Sequence, residues 1–400
     1  MKKMYLECVR GMAALSVFLF HLAEAYLSGA VLRRHSAAII GSDSVIIFFI
    51  LSGSVINISQ SRKPRSRSEF FLNRLMRLWP QFLLGLLLGI LVTLFVSRSV
   101  PGLGQILGNV FMLSTLQGFI AKSVRGNAAV WSLSYEMFFY LVFILMIGAD
   151  QKRRMKGWLL VSLVMLPLCY HLTHIGVVDQ CVSMLGFSAI WLVGYYVYEY
   201  RQYFYFDGYA AALSLGSLAL LSRVNLPWEL PWSDPFKDFL FALTAIPFFR
   251  YCLQDRAGAR KASILFPAGV YLLLVTALVR QPDISRAAEL VCIVLPPGIV
   301  SVYHLLRTRW LKPYILPVVG RLGLIFGKYS YSLYIGHLPV LMVCARFLPH
   351  RPVPYLLTSI PCVALLAYFM ESHFQPAMVK LVRWVRAGKD DGQDGVVSQA

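Results

Sequence analysis

The chain has 400 residues, 58% hydrophobic and only 14% charged, with 38 Lys and Arg against 19 Asp and Glu for a formal charge of +19. A soluble domain carries roughly 25% charged residues, and a single core stops growing at about 250–300 residues, so the surplus apolar surface needs a second solvent. Composition excludes a secreted disulfide scaffold, a disordered chain and a collagen-like fibre, and it points to an all-α, polytopic transmembrane helix bundle.

A bilayer crossing takes about 20 mostly apolar residues. In chain order such stretches fall at 9–29, 44–59, 78–96, 131–148, 158–175, 182–199, 208–222, 237–252, 263–279, 289–306, 332–348 and 355–374. Those at 44–59, 208–222 and 237–252 are short enough to be half-helices, which predicts about 10–12 spans. The apolar but Gly-rich stretch 104–120 reads as interfacial or re-entrant. With the N-terminus inside, the cytoplasmic segments collect 27 of the 38 Lys and Arg and the outer ones 11, which predicts cytoplasmic N- and C-termini. The basic residues sit in short clusters between apolar runs, so the positive charge reads as topology and not as a nucleic-acid surface. The Pro-, Trp- and acid-rich loop 223–236 suits the outer interface.

Lys2, Lys3 and the apolar run from Gly11 to Leu22 loosely imitate a secretion signal. Glu7 and Arg10 spoil its basic head, and cleavage would discard His21, so the segment is expected to stay as the first span. Residues 1–386 form one transmembrane domain on this reading, and 387–400 a disordered cytoplasmic tail. The seven cysteines are scattered without any C-x-x-C and read as small hydrophobes.

An ionisable side chain at the centre of a membrane helix costs about 2.5–3.5 kcal/mol on insertion scales, so it usually faces a partner or a cavity and marks function. In the first span Arg10 and His21 are eleven residues apart, which puts them on one helix face about 16 Å apart along the axis. Glu24 shares that face three residues on and is placed to orient the imidazole for general-base work. Read structurally, the same His21 bonds a neighbouring helix and Arg10 is an ordinary positive flank. Arg74 and Arg77 share a face at the start of the third span, where two guanidinium forks make a phosphate clamp; a charge cluster there also serves topology alone. Glu136 lies about 7 Å inside the outer end of its span, at a depth that allows a cavity in common with His21. Tyr334 and His337 stand at i, i+3 near the start of the stretch 332–348. His171 and His174 have the same spacing, but no carboxylate in register, so no metal site is expected.

Taken in order, these segments resemble the membrane-bound acyltransferase type 3 family, the bacterial integral-membrane O-acyltransferases. The resemblance is carried by R-x10-H from Arg10 to His21, F-F-x-L-S-G from Phe48 to Gly53, and N-R-x-x-R-x-x-P from Asn73 to Pro80. It continues in W-S-L-S-x-E-x-x-F-Y from Trp131 to Tyr140 and in G-K-x-S-Y-S-L-Y-x-x-H from Gly327 to His337. It implies transfer of an acyl group, most often acetyl, from cytoplasmic acyl-CoA to a hydroxyl of a surface or exported saccharide, by a multi-pass protein of the bacterial inner membrane. It also implies His21 as the catalytic residue and Arg10, Arg74 and Arg77 as donor-binding residues. The family core is usually drawn with ten spans. Where relatives often carry a Glu-x-Pro-like element, this chain has Gln375-Pro376 with Glu371 four residues earlier, and no role is carried over to them. The soluble esterase-like domain appended in many relatives has no counterpart here, so direct transfer to the acceptor is expected.

The mechanism expected from these residues makes His21 the base, paired with Glu24 or Glu136. Trp131, Ser132, Ser134, Ser330, Tyr334 and His337 join the arginines as substrate-binding positions, with Tyr334, Ser330 or Ser132 as donors to the oxyanion. No cofactor is expected to be permanently bound; acyl-CoA (acetyl-CoA) is the donor substrate, the bilayer is the solvent, and the saccharide acceptor, in some cases lipid-linked, is left open. The competing class is a transporter or flippase for a lipid-linked sugar, in which the same polar residues line a passage.

Overall fold

The computed structural model describes residues 2–26, 43–115, 118–169, 175–222, 235–253, 259–279, 312–349 and 351–382, with single positions at 294, 298, 301, 302 and 384. Among these residues the architecture is helical. The helices are α1 (Lys2–Tyr26), α2 (Asp43–Arg62), α3 (Arg67–Phe95), α4 (Leu103–Val110), α5 (Trp131–Met146), α6 (Gln151–Leu168), α7 (Gly176–Glu199), α8 (Gly208–Leu221), α9 (Pro235–Thr244), α10 (Ile246–Cys252), α11 (Leu265–Val279), α12 (Lys312–Phe347) and α13 (Pro352–Phe369). A 3-10 turn, Arg125–Val130, leads into α5, and a π-helical turn, Met370–Phe374, extends α13. Two short parallel pairs are the strand content described: β1 (Ser114–Thr115) with β2 (Ala121–Lys122), and β3 (Phe204–Tyr205) with β4 (Arg260–Lys261).

Among the described residues six helical stretches are long and apolar enough to cross a membrane: Met4–Glu24, Asp43–Arg62, Arg67–Phe95, Arg125–Met146, Gly176–Glu199 and Pro352–Val382. The apolar stretches at 208–222 and 263–279 form the shorter apolar helices α8 and α11, and 237–252 breaks at Ala245 into α9 and α10. The stretch 104–120 is one short helix followed by β1, as expected of a piece that does not span. Most of 289–306, most of the outer loop 223–236, His171, His174 and the tail 387–400 lie outside the described residues. Large apolar side chains stand exposed on α6 (Leu160, Val164) and α13 (Leu357, Leu365), where a lipid solvent makes that arrangement favourable.

The site is positioned by helices that touch backbone to backbone. α1 and α12 run parallel, with Met4 beside Gly320, Cys8 beside Gly323 and Gly11 beside Gly327. A Cβ at Gly11 would stand 2.6 Å from the Gly327 nitrogen, so side chains there would force the pair apart. Small residues at a crossing of this kind are what membrane helices use in place of a hydrophobic drive. α2 meets α7 in the same way, through Gly53 against the Trp191 carbonyl and Gly194 against the Ile50 carbonyl. α3 starts at Ser66, whose hydroxyl accepts from the Glu69 N–H at 3.3 Å. It is tied to α12 by the buried Asn127, which donates to the carbonyls of Gly85 (3.0 Å) and Ile335 (2.9 Å). Tyr331 adds a bond to the Leu78 carbonyl at 2.8 Å.

Candidate active site

Five helices enclose a cavity of about 90 Å³. α1 gives it Arg10, α2 gives Phe48, Ser52 and Val55, α3 gives Arg74 and Arg77, α5 gives Ser132, Glu136 and Tyr140, and α12 gives Ser330 and Tyr334. The structure therefore gathers seven of the residues singled out from sequence into one hollow. Three are guanidiniums, and Glu136 is the carboxylate beside them. Tyr140, one turn along α5, donates to Glu136 and also meets the Ser52 hydroxyl at 3.1 Å. The Arg74 guanidinium lies over the rings of Phe70 (5.3 Å) and Tyr140 (5.4 Å). Among the described residues no hydrogen bond holds Arg74, so its donors are open to a ligand.

Arg10 is held more firmly. It pairs with Glu7 one turn back and donates to the Gly327 carbonyl at 2.9 Å, a bond that the glycine contact with α12 makes possible. Through Arg10, Val55 and Arg77 the cavity is continuous in its lining with a second hollow of about 600 Å³. Among the described residues six cationic side chains line this vestibule (Arg10, Arg62, Lys63, Arg65, Arg77, Arg201), against one carboxylate, that of Glu7. The vestibule lies on the membrane side where α1 and α3 begin and α2 ends.

Three hydroxyls in the cavity are already committed. Ser330 donates to the Gly327 carbonyl at 2.8 Å, Tyr334 to the Ala129 carbonyl at 2.6 Å, and Ser132 lies 2.7 Å from the Tyr334 oxygen. Trp131 and Ser134 stand outside the lining. Trp131 packs edge-on to Tyr135, with centroids 5.5 Å apart, and the buried Ser134 meets Ser114 at 3.3 Å.

His21 does not line the cavity. Three turns along α1 from Arg10, its Nδ1 is 3.1 Å from Nε2 of His337 and 3.0 Å from the Val17 carbonyl. His337 is fully buried, with Nδ1 3.1 Å from the Leu333 carbonyl. The carboxylate partners expected for His21 are elsewhere: Glu24 is exposed with no hydrogen bond to the ring among the described residues, and Glu136 is held by Tyr140. An apolar cluster that includes Ala14, Phe18, Leu22, Leu333 and Leu341 lies on the same helices beside the fully buried His337 and the half-buried His21, with the Phe18 ring 6.4 Å from that of His337. The wall between cavity and histidines is made by Phe48 and Tyr334, whose centroids are 5.6 Å apart. Phe48 both lines the cavity and packs on the apolar cluster.

Sequence reasoning missed several lining residues. Arg62, Lys63 and Arg65 read as topology, and Arg201 comes from a distant loop that no local spacing connects to them. Ser52 and Tyr140 lay inside quoted motifs without a role, although Tyr140 at i+4 from Glu136 was a readable signal. A trio was also missed: the hydroxyl of the buried Ser332 lies 2.8 Å from the half-buried Glu371 and 2.9 Å from Gln81 Oε1, while the buried Gln81 donates to Glu371 at 3.1 Å. Glu371 sits in the π-helical turn, a distortion frequent at functional sites. Among the described residues no group of three His, Cys, Asp or Glu is placed to hold a metal.

The chain is similar over 144 residues, at 32% identity, to acyltransferase MdmB of Streptomyces mycarofaciens. That match covers 34% of this chain and 36% of the relative, about a third of each. No solved structure matches. A family model described as an acyltransferase domain matches residues 4–371, nearly the whole length, and the chain belongs to the acyltransferase 3 family.

Proposed function

We propose that this acyltransferase takes its acyl group, acetyl foremost, from acyl-CoA on the cytoplasmic side of the bacterial inner membrane and passes it to a hydroxyl of a surface or exported saccharide. The observation that carries the reading is the arginine-lined cavity opening into a six-cation vestibule. An anionic donor with several phosphates is the chemistry that such a mouth attracts. A thioester is already activated, whereas the hydroxyl must lose its proton as it attacks. His21, about 16 Å from Arg10 along α1, is the base in this reading. An extended pantetheine arm on the order of 15–20 Å covers that offset. The Phe48 ring, half-buried, has to yield for the thioester to pass.

With the protons of Ser330 and Tyr334 directed to carbonyls, the open donors in the hollow are guanidinium N–H groups, Arg74 foremost, and in this reading they hold the anionic donor and not the oxyanion. Glu136 and its Tyr140 bond hold Arg74 and its neighbours in a compensated field. Membership of an acyltransferase family sets the passage reading aside.

The test is transfer of label from radioactive acetyl-CoA into saccharide, in membrane vesicles holding the protein and their own glycans. Label in the saccharide supports the reading. Label confined to water-soluble acetate, or none that depends on the protein, overturns the saccharide acceptor. Competition by succinyl-CoA decides the acyl class.

A further inference from the structure

The two imidazoles form a hydrogen-bond chain with one consistent direction. A carbonyl oxygen can only accept, so the 3.1 Å contact to Leu333 requires His337 to carry its proton on Nδ1. A neutral His337 then presents a lone pair at Nε2, 3.1 Å from His21 Nδ1. His21 Nδ1 also faces the Val17 carbonyl at 3.0 Å, a second acceptor. Both neighbours of that nitrogen are acceptors, and it must be the donor. The opposite tautomer would set a lone pair against two others within 3.1 Å. A cationic His337 would still leave Val17 facing a lone pair. It would also bury a charge among apolar side chains, with no carboxylate hydrogen-bonded to either ring among the described residues.

We infer that His337 is a positioning residue: it accepts from Nδ1–H of His21, fixes that tautomer, and leaves the Nε2 lone pair of His21 free to take a proton from the acceptor hydroxyl. The inference rests on the reading of His21 as the base. The hydroxyl oxygen bonds to the thioester carbonyl carbon as its proton moves to His21 Nε2. The imidazolium so formed is steadied by the lone pair of His337 Nε2 and by the Val17 carbonyl. The carbon–sulfur bond then breaks, the thiolate of CoA leaves, and the proton returns from Nε2 to sulfur. His337 therefore does for His21 what a carboxylate does in many acyl-transfer sites, but without placing a fixed negative charge in an apolar wall. Its ring nitrogens are both engaged within the protein, which leaves neither for the substrate contact expected from sequence.

The tautomer is read directly by nitrogen NMR on the full-length protein carrying 15N-histidine, with the His21 signals assigned by their loss in His21→Gln. A pyrrole-type Nδ1 and a pyridine-type Nε2 at His21 support the inference, and a protonated Nε2 in the neutral ring overturns it. This readout stands apart from the base reading, which fails instead if His21→Ala still transfers acetyl label in vesicles. His337→Leu is expected to lower transfer by roughly 10–100-fold, the scale on which partners that orient an imidazole act, with the KM for acetyl-CoA unchanged. His337→Gln, whose amide oxygen restores an acceptor near Nε2, is expected to recover most of that loss. A wild-type rate in His337→Leu overturns the inference. So does His337→Gln falling as low as the leucine variant at equal protein in the membrane.

Discussion

Two levels of the same helix pair are built of opposite materials. Where α1 passes Gly327, the walls carry three guanidiniums, a glutamate and the tyrosines Tyr140, Tyr331 and Tyr334 around a hollow. Three turns on, where α1 passes His337, two histidines sit among alanine, leucine and phenylalanine. The contrast follows from the range of the forces. Attraction of an arginine for an anion extends over several ångströms and tolerates imprecise placement, so it is compatible with a broad, wetted mouth. Proton transfer needs heavy atoms within about 3 Å and a fixed lone pair, which tight apolar packing supplies. On the proposed reading, capture is divided from chemistry along one axis, with Phe48 and Tyr334 as the partition.

The largest effect that tests this division is at the histidine level. His21→Ala is expected to cut acyl transfer by about 10²–10⁴-fold with little change in the KM for acetyl-CoA, the scale of lost general-base catalysis. A variant that instead raises KM and keeps kcat would put His21 on the capture side. Next comes Arg74→Ala, expected to raise the KM for acetyl-CoA by roughly 10–100-fold, since a charge-assisted hydrogen bond is worth about 1.5–3 kcal/mol. Titration of initial rate against acetyl-CoA decides it, and an unchanged KM removes the clamp. Smaller effects belong to the vestibule. Arg62→Ala, Lys63→Ala and Arg201→Ala are each expected to weaken acetyl-CoA capture a few-fold, and less as salt rises. The screening length falls from about 10 Å at 0.1 M to about 3 Å at 1 M, so the differences should fade over that range. Asn127→Ala is expected to lower stability in detergent by about 1–3 kcal/mol, read as an earlier thermal transition, with the KM for acetyl-CoA unmoved.

The capture level was largely legible in the sequence, because its signals are local. Arg74 and Arg77 declare a shared face by their spacing, and Glu136 stands out as a charge in an apolar run. Hydropathy likewise located the long helices, since length and composition are properties of a segment by itself. The histidine level was not legible in its essential bond. His21 and His337 are 316 positions apart, and nothing within either segment says that α1 and α12 run parallel at glycine contact. Helical spacing offered Glu24 as the natural partner, and tertiary packing overrode it. The break of 237–252 into α9 and α10 falls beside Pro247, a signal that the sequence carries, although the stretch was read only as short enough for a half-helix.

The glycine contacts carry a mechanical consequence. Where Gly11, Gly323 and Gly327 bring α1 and α12 together, and Gly53 and Gly194 bring α2 and α7 together, the helices have little room to slide. Each pair therefore behaves as a stiff plank, and any breathing is channelled into the joint between planks. That joint is where the ring of Phe48, riding on one, lies against the ring of Tyr334, riding on the other. A door hung on two rigid leaves opens at the seam, and here the seam faces the histidines.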